Sequence, residues 1–172
     1  MKCFLTLDDW NSEVLIPDVS GALENCVLHF PNFKVNLMCS GALTIPINPH
    51  PDKYAYLLHG WSHRFWDEVS DEELEKWPYD KGYRAPYWQL TDVMRKRLID
   101  HGYKILTDLG DEDGIPWNWG ISHAPDLTKE VLVGMGHITR SVDNIADCIK
   151  NVFMLPKDTE FSFIRDWGKD VH

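Results

Sequence analysis

The chain has 172 residues, 44% hydrophobic and 26% charged, with a formal net charge of −10 at pH 7. This length and balance exclude an intrinsically disordered protein and suffice for one core, so a single globular domain over residues 1–172 is expected. The acidic field disfavours nucleic acid and anionic membranes as partners and favours a basic partner protein.

The amino-terminal stretch MKCFLTLDDW meets Asp8 and Asp9 before an apolar signal region forms, and no apolar run approaches membrane-spanning length. Cys3, Cys26, Cys39 and Cys148 are widely spaced with no C-x-x-C pair, so a cytoplasmic protein with reduced, buried thiols and no thiolate zinc site is expected. Over residues 1–50 the runs CFLTL, EVLI, CVLHF and FKVNLM alternate with turn clusters. Short connections of this kind suit antiparallel pairing better than parallel crossovers. The predicted fold class is therefore α+β, a single domain with a largely antiparallel amino-terminal sheet packed against three to four helices.

After Pro51, the residues Tyr54, Leu58, Trp61, Phe65 and Val69 recur at helical spacing and predict a helix in spite of Gly60, with a strand over YAYLLH as the rival. His59, His63 and Asp67 follow one another at four-residue steps, and two imidazoles so spaced on a helix can share a metal ion. Advancing 100° per residue places this set about 160° from the apolar stripe. It therefore reads as a solvated face or protein contact rather than an enclosed metal site. Ser70 and Glu73 form a capping box for a second short helix ended by Pro78.

Further along, APYWQLTDVMRKRLIDHGY predicts a helix with the stripe Tyr87, Leu90, Met94, Leu98 and His101. YKILT and KEVLVGMG predict strands, separated by a long acidic and aromatic loop. A helix capped by Ser141 and a closing strand over EFSFIRDW complete the pattern.

Two functional readings follow. In the first, the protein is a binding or inhibitory module of the immunity type, without a cofactor. Asp67, Glu68, Asp71 and Glu72 supply charge, and Trp66, Trp117 and Trp119 anchor a basic partner. In the alternative, it is a metal-dependent phosphoester hydrolase or nucleotide-handling enzyme. Asp108, Asp111 and Asp113 then hold Mg²⁺ or another divalent ion. Gly134, Gly136, Thr139, Arg140 and Ser141 form a strand-to-helix cradle for an anion, and His137, or His123 oriented by Asp126, moves the proton.

Overall fold

The structure, a computed structural model, describes residues 1–10, 16–42, 47–107, 114–138 and 149–169, with the backbone alone for 16–19. β1 (Lys2–Trp10) leads through α1 (Ile16–His29) into β2 (Val35–Cys39), a β–α–β unit. There follow β3 (Tyr54–Leu58), α2 (Asp71–Lys76), β4 (Gly82–Tyr83), α3 (Asp92–Asp100) and β5 (Lys104–Thr107). β6 (Gly114–Pro116), β7 (Trp119–Gly120), β8 (Val131–His137) and β9 (Glu160–Phe161) complete the strands among the described residues.

The strands form one sheet in the order β6-β5-β4-β3-β2-β1-β8-β7, with β9 beside the start of β1. All pairs are parallel. The stretch from Gly114 to Gly120 pairs first with β5 and then with β8, which draws the two sheet edges together into a curled partial barrel.

The expected antiparallel α+β arrangement is thus corrected to a parallel sheet. CVLHF, taken for a strand, is largely the end of α1. Leu23, Cys26 and Phe30, three and four residues apart, are all buried in the core against the sheet. This helix supplies the crossover that a parallel pair requires. The helix predicted after Pro51 is also replaced. Tyr56 to Leu58 are consecutively buried in β3, as a strand covered on both faces must be, while Phe65 of the supposed apolar stripe is exposed.

Several other elements match the expectation. YKILT holds β5, KEVLVGMG holds most of β8, and the Ser70–Glu73 capping box starts α2. The helix around APYWQLTDVMRKRLIDHGY is shorter, with a 3₁₀ turn at Pro86–Trp88 and α3 only from Asp92. EFSFIRDW contributes two strand residues and then a 3₁₀ turn, Ile164–Asp166.

Alternation along the strands builds two cores. Cys3, Leu5, Leu7, Val35, Leu37, Tyr56 and Leu58 pack outward against α1 and neighbouring loops. Phe4, Met38, Leu57, Leu106, Ile115 and Val133 point to the inner face, where Phe163 and Ile164 close the floor. Each fully buried side chain of this size contributes about 1.5–3 kcal/mol. Among the described residues no helix is long and apolar enough to cross a membrane.

Candidate metal centre and catalytic cleft

Parallel sheets present functional groups where the carboxyl ends of their strands open into loops. Four such ends converge here. On β1, the register against β2 slips between Leu7 and Trp10, and Asp9 takes φ 67°. Such a bulge re-aims side chains. Asp8 continues the inward series begun by Phe4 and Thr6 and is buried, whereas Asp9 turns into the mouth of the cleft.

His59 directly follows β3, and its amide donates to the Cys39 carbonyl at 2.7 Å, extending the β2–β3 ladder. Gly60 then turns the chain at φ 68°. A Cβ there would lie 2.5 Å from Asp67 Oδ2 and 2.6 Å from Pro86 Cγ, so only glycine fits. The turn brings His63 back beside His59. The Gly41 and Ala42 amides brace this loop by donating to the carbonyls of Gly60 and Trp61. From β4, the Arg84 amide donates to the Leu58 carbonyl at 3.1 Å. At the end of β8, His137 stands in register with Asp8.

Asp9, His59 and His63 place one ligand atom each within 4.8 Å of one another. His63 Nε2 lies 2.9 Å from Asp9 Oδ1, and His59 Nε2 lies 3.5 Å from it. His59 Nδ1 is 2.9 Å from the Arg84 carbonyl, which can only accept, so this nitrogen donates and Nε2 is the one turned toward Asp9. Two imidazole nitrogens and a carboxylate form a fitting donor set for Zn²⁺ or a similar divalent ion, with coordination positions left for water or substrate. The expectation of a divalent metal therefore has a candidate site.

Electrostatics bind the group together. Burial acts to raise the Asp9 carboxyl, but the imidazoles of His137, His59 and His63 outweigh it and hold Asp9 well below the usual carboxylate range. Asp9 in turn raises both His63 and His137 above the ordinary histidine value, against burial. His137 Nδ1 stands 3.9 Å from both Asp8 Oδ2 and Asp9 Oδ2. Asp8 is held from behind by the buried guanidinium of Arg84, whose Nη1 donates to Asp8 Oδ1 and also to Thr6 Oγ1. Thr6 Oγ1 in turn donates to the Gly134 carbonyl at 2.8 Å. The cleft between these groups holds about 280 Å³ and is walled by Tyr87 and Trp88.

The residues singled out by sequence fare unevenly. His59 and His63 do converge, though on a loop, so the helical angle that turned them outward does not apply. Asp67 is not their third partner; it accepts from the Ser62 amide at 2.8 Å and steadies the loop. Gly134 and Gly136 are interior to β8, where close packing by Trp119, Ile121, Leu5 and Leu7 leaves no room for a Cβ. They make no strand-to-helix cradle. His137 faces Asp8 and Asp9. His123 is exposed, and Asp126 accepts from Thr128 rather than orienting it. Asp108, Asp111, Asp113, Thr139, Arg140 and Ser141 lie outside the described residues.

Of the proposed partner-binding set, Glu68 accepts from Thr91, Asp71 pairs with Arg97 and His101, and Glu72 pairs with Lys76. Trp119 is buried, Trp117 is half-buried, and Trp66 is exposed. Sequence reasoning missed Asp8, Asp9 and Arg84. Paired acids ending an otherwise apolar strand were the available signal.

No protein-family model matches the sequence, and no curated protein matches it. Solved structures do. A peptidoglycan N-acetylglucosamine deacetylase, Bc1960, superposes with a TM-score of 0.62 at 16% identity, covering 96% of this chain and 86% of the other. Peptidoglycan deacetylase PdaC from Bacillus subtilis gives 0.60 at 13% identity, covering 94% and 85%. A CE4 family pseudoenzyme from Bacillus anthracis gives 0.57 at 12% identity, covering 96% and 64%. At these identities the likeness is one of fold: the chain has the curled parallel sheet of the polysaccharide deacetylases. The reading as an inhibitory, immunity-type module is overturned by that fold, which also carries the Asp9–His59–His63 cluster. The hydrolase alternative is nearer, and His137, which it names, stands 3.9 Å from Asp9 Oδ2.

Proposed function

We infer that the protein is a metal-dependent hydrolase that removes an acetyl group from the amide nitrogen of an acetylated amino sugar. One observation carries this reading: the Asp9–His59–His63 donor set shares a single cleft with a buried carboxylate, Asp8, and a third imidazole, His137. Because a pseudoenzyme shares the fold, the fold by itself does not supply the activity.

Asp9, His59 and His63 would hold the metal, which when bound would supply Lewis-acid polarisation of the acyl carbonyl and make water more acidic. Asp8, fixed by Arg84, accepts the proton of the attacking water as its oxygen bonds to the carbonyl carbon. The carbon–nitrogen bond breaks, and His137, whose affinity for protons Asp9 increases, delivers a proton to the departing amine. The products are acetate and a free amino sugar. Two carboxylates in the lining would repel a phosphoester dianion and leave a neutral acetamido group unopposed.

The test is acetate release from N-acetylglucosamine oligomers after loading with Zn²⁺ or Co²⁺. Wild type should turn over. Asp8→Asn should lose at least about a hundredfold in kcat while still taking up metal, since removal of a general base costs about 10²–10⁴. Equal rates in the two proteins, or no release by the loaded wild type, would sink the assignment.

A further inference from the structure

Trp88 walls not only the metal cleft but also a second cavity. That cavity holds about 100 Å³ where the end of β5 packs against α3, and Ala85, Leu90, Arg95, Ile105 and Thr107 complete most of its lining. One water needs only about 10–15 Å³ of such space, so a small molecule fits. Trp88 is held firmly as the partition. Its backbone takes φ 60°, a left-handed conformation that bulky residues adopt only where their surroundings impose it. The Arg84 guanidinium lies over its ring at 5.3 Å.

The lining of this cavity differs in charge from that of the cleft. Asp8 and Asp9 line the cleft, whereas among the described residues the second cavity has no acid and one guanidinium, that of Arg95. Thr107 is only 9% exposed, and its hydroxyl has no hydrogen-bond partner among the described residues. Folded proteins seldom leave a buried hydroxyl in that state. Arg95 carries more N–H donors than a single carboxylate takes up, so it can serve a ligand as well as another neighbour. Ala85, Leu90 and Ile105 offer only hydrocarbon. A hydroxyl and a guanidinium set in an apolar lining suit a ligand with an anionic head and a short hydrocarbon tail, whereas phosphate would turn charged oxygens onto the apolar walls. We propose that this cavity binds a short-chain carboxylate, at a site apart from the metal and divided from it by Trp88. Acetate is the member of that class released next door, an identification that rests on the hydrolase reading above; the site itself does not.

Metal-free protein with isotope-labelled leucine and isoleucine methyl groups is titrated with acetate, with its neutral isostere acetamide and with sodium chloride, and the methyl signals are followed by NMR. Acetate should shift the Leu90 and Ile105 signals saturably in wild type and equally in His63→Ala, which alters the cleft alone. Thr107→Val keeps the shape of the side chain and should weaken acetate about tenfold, the effect of losing a hydrogen bond to a charged group. Leu90→Trp fills the space and should abolish the Ile105 shift. Absence of a saturable acetate shift in wild type would overturn the proposal, as would equal shifts from acetamide or chloride. So would undiminished affinity in Thr107→Val or an Ile105 shift that survives Leu90→Trp. Loss of the shifts in His63→Ala would place the acetate in the cleft and end the proposal too. A carboxylate site that passes these tests, in a protein whose zinc-loaded form releases no acetate from N-acetylglucosamine oligomers, would uphold the site and end the hydrolase reading.

Discussion

The two ends of the inner face of the sheet are built from opposite chemistries on the same strands. At the amino-terminal end, Phe4 meets Trp167 edge-on at 5.0 Å, and Phe163 and Ile164 fill the space beneath. Lys104 fastens this floor by donating to the carbonyls of Ile164, Arg165 and Trp167. Four residues along β1 from Phe4, the inward position is the carboxylate Asp8, held by buried Arg84 and surrounded by histidines. The floor therefore stabilises by apolar burial. The upper end keeps charges out of water, which costs stability unless each is paired. Placing Phe4 and Asp8 on one strand ties the buried carboxylate to the apolar floor without assigning it the work of holding the fold.

This contrast is open to direct test. The largest effects are expected from Phe163→Ala and Arg84→Leu, each about 3–5 kcal/mol, the first by leaving a cavity and the second by leaving Asp8 buried without its partner. Denaturant unfolding should show both losses, while metal stoichiometry measured by elemental analysis should survive only Phe163→Ala unchanged. If Phe163→Ala also abolished metal uptake, the two ends would not be separable.

Next comes Asp9→Ala, which removes a ligand and should weaken Zn²⁺ binding by at least about a hundredfold, beyond the ~10–100-fold typical of losing an outer partner. The zinc-dependent rise in melting temperature should vanish with it.

The pH response is a smaller effect with a definite sign. Asp9 raises His63, so in the metal-free protein their ion pair adds stability that is present at low pH and lost as the pH rises through the raised value. Metal must displace the same proton. Zinc affinity should therefore fall by up to about tenfold per pH unit below that value and level off above it, as read from competition titrations between about pH 5 and 8. Smallest is Asp67→Ala: loss of its bond to the Ser62 amide should cost about 1 kcal/mol. Metal affinity should drop only severalfold, whereas a loss equal to that of Asp9→Ala would make Asp67 a ligand after all.

How much of this was legible beforehand depends on the range of the signal. The Ser70–Glu73 capping box, β5 and β8 are local patterns, and local composition disclosed them. The H-x₃-H spacing of His59 and His63 was visible too, but its meaning was lost through a wrong period: apolar residues at three- and four-residue steps imitated a helix, and Gly60 was counted as a defect in it. In the folded chain Gly60 is the turn that makes the pair converge. Asp8 and Asp9 carried no functional reading, because the histidines they face lie far away in sequence.

Composition, the acidic balance and the short-range elements were determined by the sequence alone, since they depend on residues within a few positions of one another. Which strands lie side by side, and hence which of their ends meet, was decided only by tertiary structure. His59 and His137 follow Asp9 by 50 and 128 positions. Parallel pairing brings those distant strand ends together because each crossover returns the chain to the same edge, so chemistry scattered along the sequence collects at one rim.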